Sequence, residues 1–249
     1  VVASVGLGQA PETGVLQALP FAYRYIGPVG NRVSAVVGIP GDAKTYYAGG
    51  ASGGIWKTTD GGIFWEPIFD DQSAQSIGSL AIAPSDERII WAGTGEAHIR
   101  SNISIGDGIY KSVDGGSRWT CMGLEKTGRI GRIVVHPDNP DIVFVAALGH
   151  CYGPQPERGV FRTRDGGKTW DRVLFVDENT GCGELAMDPD NPEILYAGIL
   201  DRGFNPVQRM SLTWGMERYF FVKSKEDQLL FIPPGEKELY KSIHGRIFL

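Results

Sequence analysis

Gly54-Ile55-Trp56-Lys57-Thr58-Thr59-Asp60-Gly61-Gly62-Ile63-Phe64-Trp65 recurs twice further along the chain. The second copy is Gly108-Ile109-Tyr110-Lys111-Ser112-Val113-Asp114-Gly115-Gly116-Ser117-Arg118-Trp119. The third is Gly159-Val160-Phe161-Arg162-Thr163-Arg164-Asp165-Gly166-Gly167-Lys168-Thr169-Trp170. The aspartates stand 54 and 51 residues apart. A second marker runs out of phase with the first at a similar spacing: Ala83-Pro84-Ser85-Asp86, His136-Pro137-Asp138-Asn139-Pro140 and Asp188-Pro189-Asp190-Asn191-Pro192. Two independent markers with one period identify a repeat architecture.

Each repeat holds four short strand patterns. In the third they fall at 130–135, 142–147, 160–163 and 170–174, rich in β-branched and aromatic residues and bounded by Gly, Pro, Asn or Asp. The Pro-Asp-Asn-Pro turn joins the first pattern to the second, and the Asp-Gly-Gly turn joins the third to the fourth. Four antiparallel strands per unit, repeated radially, make the blade of a β-propeller. The fold class is therefore all-β, with about four blades present and room for membership in a larger ring. Blades are expected near 31–75, 76–127, 128–180 and 181–249, in one domain over 20–249 behind a flexible segment at 1–19. The fourth is irregular. Its first strands fall at 185–188 and 194–197, an insertion fills 200–238, and Leu239-Tyr240-Lys241-Ser242-Ile243-His244-Gly245 reads as a decayed Asp-Gly-Gly turn. There His244 stands in the aspartate's place and Leu249 in the tryptophan's. Phe21 to Ile26 form a candidate strand that seals the ring against the last blade. An incomplete ring would leave strand edges that favour self-association.

The bulk composition agrees with this fold and narrows its partners. Glycine (35) and proline (15) are abundant in 249 residues, as many tight turns require. The net charge of -5 and the lack of Lys/Arg runs argue against nucleic acid. No apolar run reaches the length of a membrane span. Val1 to Ala10 read either as the stub of an export signal or as a flexible end. Cys121, Cys151 and Cys182 contain no CxxC pair, so they make neither a disulfide framework nor a zinc site. They read as buried free thiols, with one disulfide as the alternative, and the redox compartment stays open.

Thr163-Arg164-Asp165-Gly166-Gly167-Lys168-Thr169-Trp170 resembles the Asp-box, or bacterial neuraminidase (BNR), repeat Ser/Thr-x-Asp-x-Gly-x-Thr/Ser-Trp at every fixed position. The first two copies depart only at Phe64 and Arg118. With Gly93-Thr94-Gly95-Glu96 and Glu157-Arg158-Gly159, residues 20 to 200 look like bacterial secreted BNR-repeat proteins of glycosyl hydrolase type. Sortilin-type receptors and xyloglucanases share this repeat class. The resemblance implies a secreted or periplasmic protein and a glycan or protein ligand. It does not extend to sialidases, because no Arg-Ile-Pro precedes the first repeat.

Asp60, Asp114 and Asp165 read as structural, each accepting backbone N–H bonds in its turn, with Trp65, Trp119 and Trp170 packing across it. One carboxylate per turn is too few for a Ca²⁺ cage, so no metal or cofactor is expected. His136 and His244 read as structural for the same positional reason. Strand alternation puts these short turns on one end of the propeller. The long second-to-third loops and the blade links lie on the other, where function is expected. Those loops carry Glu96 to Asp107, His150 to Arg158, and the insertion with Trp214 and Tyr219. The links add Asp70, Asp71, Arg129, Asp177, Glu178 and Glu184.

Glycoside hydrolysis needs a protonated acid opposite an ionised carboxylate. Glu96, directly after a strand, is the leading candidate, with Asp107 or Glu184 as its partner. His98, Arg100, His150, Tyr152 and Arg158 are candidates to hold substrate. The competing reading makes Glu96 and Arg100 or Arg158 ion pairs that pin loops. Two functions stay open: a secreted carbohydrate-active hydrolase, or a non-catalytic propeller binding a protein, peptide or glycan on that end. His98 and His150 alone are too few for a metal-dependent hydrolase.

Overall fold

The computed structural model describes residues 32–98, 103–201, 218–223 and 229–232. They form four four-stranded antiparallel sheets, each a simple meander. The first holds β1 (Val33–Gly38), β2 (Tyr46–Gly50), β3 (Ile55–Thr58) and β4 (Glu66–Pro67). The second holds β5 (Ile77–Ala83), β6 (Asp86–Thr94), β7 (Ile109–Ser112) and β8 (Thr120–Cys121). The third holds β9 (Ile130–Val135), β10 (Val143–Ala147), β11 (Gly159–Thr163) and β12 (Asp171–Leu174), after a 3-10 turn at Glu125–Thr127. The fourth holds β13 (Thr180–Met187), β14 (Leu195–Asp201), β15 (Arg218–Lys223) and β16 (Leu229–Ile232). First strands of successive sheets touch one another, β1 with β5, β5 with β9 and β9 with β13. They are thus the inner strands of β-propeller blades.

The fourth blade differs from the sequence expectation. Its third and fourth strands come from the stretch read as an insertion. Tyr219-Phe220-Phe221-Val222 and Leu229-Leu230-Phe231-Ile232 are apolar runs suited to a sheet, but no Asp-Gly-Gly separates them. A search keyed to that turn passes over them. The decayed turn at His244, Leu249, the segment with Phe21 to Ile26, and Trp214 lie outside the described residues.

Three apolar clusters fill the three joints between blades. The first two joints have the same design, in which the inner strand of one blade sets an isoleucine against a glycine in the second strand of the blade before it; in the third joint Cys182 and Ala146 hold these positions. A Cβ added to Gly49 would lie 2.5 Å from Cγ2 of Ile77, and one added to Gly93 would lie 2.4 Å from Cγ2 of Ile130. Both isoleucines are fully buried, each worth about 1.5–3 kcal/mol of hydrophobic stabilisation.

The Asp-Gly-Gly turns close locally. Oδ1 of Asp60, Asp114 and Asp165 accepts the N–H of Phe64, Arg118 and Thr169 at 3.1, 2.9 and 2.9 Å. The hydroxyls of Thr58, Ser112 and Thr163 donate to the same carboxylates at 2.8–2.9 Å. Both glycines of every turn have positive φ, from 69° to 97°, a conformation that strains any side chain. The tryptophans do more than cross their own turns. Trp119 donates its indole N–H to the carbonyl of Ile68, and Trp170 to that of Met122, both in the link before the blade. Lys57 and Lys111 reach forward to the carbonyls of Gly115 and Gly166 in the next turn. The turn is therefore also a latch between blades.

None of the three cysteines is in a disulfide. Cys151 and Cys182 are buried, whereas Cys121 is exposed, which corrects the expectation of three buried thiols. Burial raises the Cys182 thiol far above its ordinary range. Among the described residues no helix is long and apolar enough to cross a membrane.

Candidate functional site

The long-loop end of the propeller is knitted together by backbone bonds. Gly95 N–H donates to Ser76 O at 2.7 Å, Gly106 N–H to Gly128 O at 2.8 Å, and Leu148 N–H to Arg129 O at 3.0 Å. Gln155 N–H donates to Glu178 O at 2.8 Å. The second-to-third loops after β6 and β10 are thus tied to blade links, which holds their described residues in place. Gly95, at φ 86°, permits the closest approach. A Cβ there would sit 2.2 Å from Gly128 O and 2.9 Å from Cγ of Arg129.

Glu96 follows that glycine immediately. Its N–H donates to Ser104 O at 3.0 Å, and its side chain is 1% exposed. Oε1 lies 2.8 Å from Nη1 of Arg32, at the entrance to β1, whose side chain is 51% exposed. Removing a carboxylate from water costs several kcal/mol unless a cation and hydrogen bonds offset it. Arg32 is such a cation, and sequence reasoning missed it. It named Arg100, which lies outside the described residues, and Arg158.

Arg129 and Arg158 are also buried. Arg129 Nε donates to Gly149 O at 2.7 Å. Arg158 Nη2 donates to the carbonyls of His150 and Gly153 at 2.9 and 3.0 Å, and Nη1 to that of Leu148. These guanidinium groups are internal props for the 148–158 loop.

The other candidates are placed differently. Asp107 is half-buried, and Oδ2 accepts from the hydroxyls of Ser73 and Tyr110. Its N–H donates to Thr94 Oγ1 at 2.9 Å. Burial, opposed by the Ser73 bond and reinforced by Asp107, pushes the Tyr110 hydroxyl up to about 12. Glu184 is exposed on inner strand β13, with Oε1 3.3 Å from Nε of Arg132 on β9. The three carboxylates are thus engaged by three separate sets of partners. His98 and Tyr152 are exposed, and His150 is half-buried. The N–H of His150 donates to Oε1 of Gln155 at 2.5 Å. Among the described residues, no three His, Cys, Asp or Glu converge as a metal site would require.

A cavity of about 970 Å³ lies at the other end, between the turn-proximal halves of the inner strands. Its wall mixes apolar residues, among them Val36, Leu80, Ile133 and Leu185, with polar surface, and its charged members are Asp86, Glu87, Arg88 and Arg132. Arg88 and Asp86 satisfy each other through two bonds of 3.0 and 2.8 Å. The sequence reading expects function at the long-loop end; this cavity lies at the opposite, turn end, between the inner strands.

No family model matches the chain. Over 166 residues it is 28% identical to a probable oligoxyloglucan-reducing end-specific xyloglucanase of Neosartorya fischeri, covering 64% of this chain and 19% of that protein. Over 214 residues it is 23% identical to a xyloglucanase of a Paenibacillus species, covering 76% of this chain and 20% of that protein. The chain therefore spans about a fifth of the length of these curated relatives. Among solved structures it superposes on an ancestral GH74 enzyme with a TM-score of 0.61 at 20% identity, covering 83% of this chain and 26% of that one. That likeness bears on the fold.

Proposed function

We propose that this chain is a glycan-binding unit of a carbohydrate-active hydrolase. It takes a polysaccharide of the xyloglucan class on its long-loop end, with Glu96 as the central carboxylate. The observation that carries this reading is the Glu96–Arg32 pair: a buried acid at a strand end, reached from solvent through a half-exposed arginine. The xyloglucanase relatives supply the substrate class. Displacing Arg32 would bring Glu96 to a bound sugar, and Tyr152, 64% exposed in the second-to-third loop of the next blade, offers a stacking surface on the same end. His98 and His150 border the same end. Arg158 acts indirectly, by shaping the loop that carries Tyr152.

A second carboxylate is required for hydrolysis. Asp107 is on the same loop as Glu96 and would have to leave Ser73 and Tyr110, whereas Glu184 would have to leave Arg132. This engagement favours the second reading, a propeller that binds a glycan or protein without turning it over. In both readings the Asp-Gly-Gly turns belong to the Asp-box (BNR) class. The domain runs from about residue 20, and the protein works outside the cytoplasm.

The test is incubation of the purified chain with xyloglucan oligosaccharides and other plant and bacterial polysaccharides. Reducing ends are assayed, and binding is followed by calorimetry, with Glu96→Gln in parallel. Release that disappears in the variant supports the hydrolase. Binding without release supports the second reading. No binding to any glycan, with the fold intact, removes the glycan from both.

A further inference from the structure

The residues from Leu148 to Arg158 lead from β10 to β11 and form neither helix nor strand before Gly159. A connection of this kind is ordinarily among the more mobile parts of a fold. Here polar side chains grip it along its length. Arg158 takes the carbonyls of Leu148, His150 and Gly153. Arg129 takes that of Gly149. Arg172 takes that of Pro156, with its guanidinium 4.0 Å from the centre of the Phe175 ring.

Gln155 closes this scaffold. It is 8% exposed, and both ends of its amide are used. Oε1 accepts the N–H of His150 at 2.5 Å, and Nε2 donates to Lys126 O in the link before blade three. Its backbone N–H donates to Glu178 O at 2.8 Å, in the link after that blade. One residue thus ties the loop to itself and to both flanking links. A buried amide is costly unless its donor and acceptor are both met, so Gln155 favours the one loop shape that meets them.

That shape sets the loop against the one that carries Glu96. A Cβ on Gly128 would lie 2.5 Å from Cδ2 and 2.9 Å from Nε2 of His150, so the imidazole rests on that glycine. The carbonyl of the same Gly128 lies 2.2 Å from a Cβ placed on Gly95, the residue before Glu96. The two loops therefore meet on one glycine. Glu96 is held by Arg32, whereas Tyr152 stands 64% exposed between gripped residues.

We infer that Gln155 is a positioning residue of the long-loop site, locking the 148–158 loop so that Tyr152 is in place before the flat face of a sugar ring reaches it. This rests on the chain taking a glycan at that end. Stacking on an aromatic that is already ordered avoids the entropy loss that a mobile loop would impose on binding. Gln155 touches no ligand itself, and its effect passes through Tyr152.

Calorimetric titration of the whole chain with xyloglucan oligosaccharides tests this, using Tyr152→Ala, Gln155→Ala and the double variant. Each single variant should bind about tenfold more weakly. The double variant should lose less than about threefold beyond either single one, far from the roughly hundredfold loss of independent sites. A glutamine that merely supported the fold would give the product of the two losses. Hydrogen exchange of the unliganded chain gives a second readout. The backbone amide at 155 keeps its bond to Glu178 O in Gln155→Ala, so a loosened loop should speed its exchange by at least about tenfold. Binding by Gln155→Ala equal to the wild type, losses that multiply, or an unchanged exchange rate at 155 would each overturn the positioning role alone. A wild type that binds no glycan overturns the glycan reading together with this one, and it is told apart because the failure precedes any substitution.

Discussion

Gly93→Ala probes the joint design where it is tightest. The new Cβ would lie 2.4 Å from Cγ2 and 2.7 Å from Cβ of Ile130, and 3.3 Å from Cδ1 of Ile133. Comfortable carbon contacts fall near 3.5–4.0 Å, so the overlap with Ile130 alone exceeds about 1 Å. Ile130 cannot swing away easily. It is fully buried, and the Cα beside it, at Gly131, already lies against the backbone of Gly183. Overpacking of this kind costs about 1–3 kcal/mol, from which ~0.4–1 kcal/mol is recovered because alanine restricts the unfolded chain. A net loss of about 1–2 kcal/mol should lower Tm by a few degrees in a chain of this size. Ile130→Ala alone should cost about 2–5 kcal/mol through the cavity it leaves. Combined, the added methyl enters the space left by the isoleucine. The double variant should therefore be milder than the sum of the singles by at least ~1 kcal/mol. Urea titrations followed by tryptophan fluorescence give all three values. Costs that add to within ~0.5 kcal/mol would mean that Gly93 and Ile130 do not compete for one space, and would refute the knob-and-hole account.

Arg32→Ala takes from the buried Glu96 carboxylate its ion partner. The expected loss is about 1–3 kcal/mol, below the figure for a fully buried pair because Arg32 is half exposed and water can replace it. Glu96→Gln, which removes the buried charge, should cost less, and the reverse order of denaturation midpoints would contradict the pairing. In the turns, the Thr169 hydroxyl first and its N–H second hold the Asp165 carboxyl below the ordinary carboxylate range. The N–H groups of Phe64 and Arg118 do the same for Asp60 and Asp114. A carboxylate with a depressed folded-state pKa contributes stability that is present above its unfolded value near 3.9 and lost as pH falls towards the folded one. Stability should therefore drop below about pH 4. Asp165→Asn should flatten that drop while lowering the plateau at neutral pH, as urea midpoints at several pH values would show. An unchanged acid slope would exclude Asp165 as a contributor.

The repeating part of the fold was legible in the residues because its causes are local. Two successive positive φ angles demand Gly61-Gly62, Gly115-Gly116 and Gly166-Gly167, and the carboxylate three to four residues from the N–H groups it accepts completes each turn. Strands between such turns have one way to pair, so the four-stranded meander follows for the first three blades. Where that local marker is missing, in β15 and β16, the reading failed although the strands are apolar and well formed as a pattern. The relations between blades were not legible at all. Arg32 meets Glu96 across 64 positions of sequence, Trp119 bonds to Ile68 and Lys111 to Gly166, each in a neighbouring blade. Nothing near any of these residues in the chain marks its partner. The amino-acid sequence by itself determined the turns, the strands and their repetition, since each depends on residues a few places apart. The tertiary structure alone decided which carboxylate is buried and which end holds the cavity. Those outcomes depend on how blades a full repeat apart come to lie against one another.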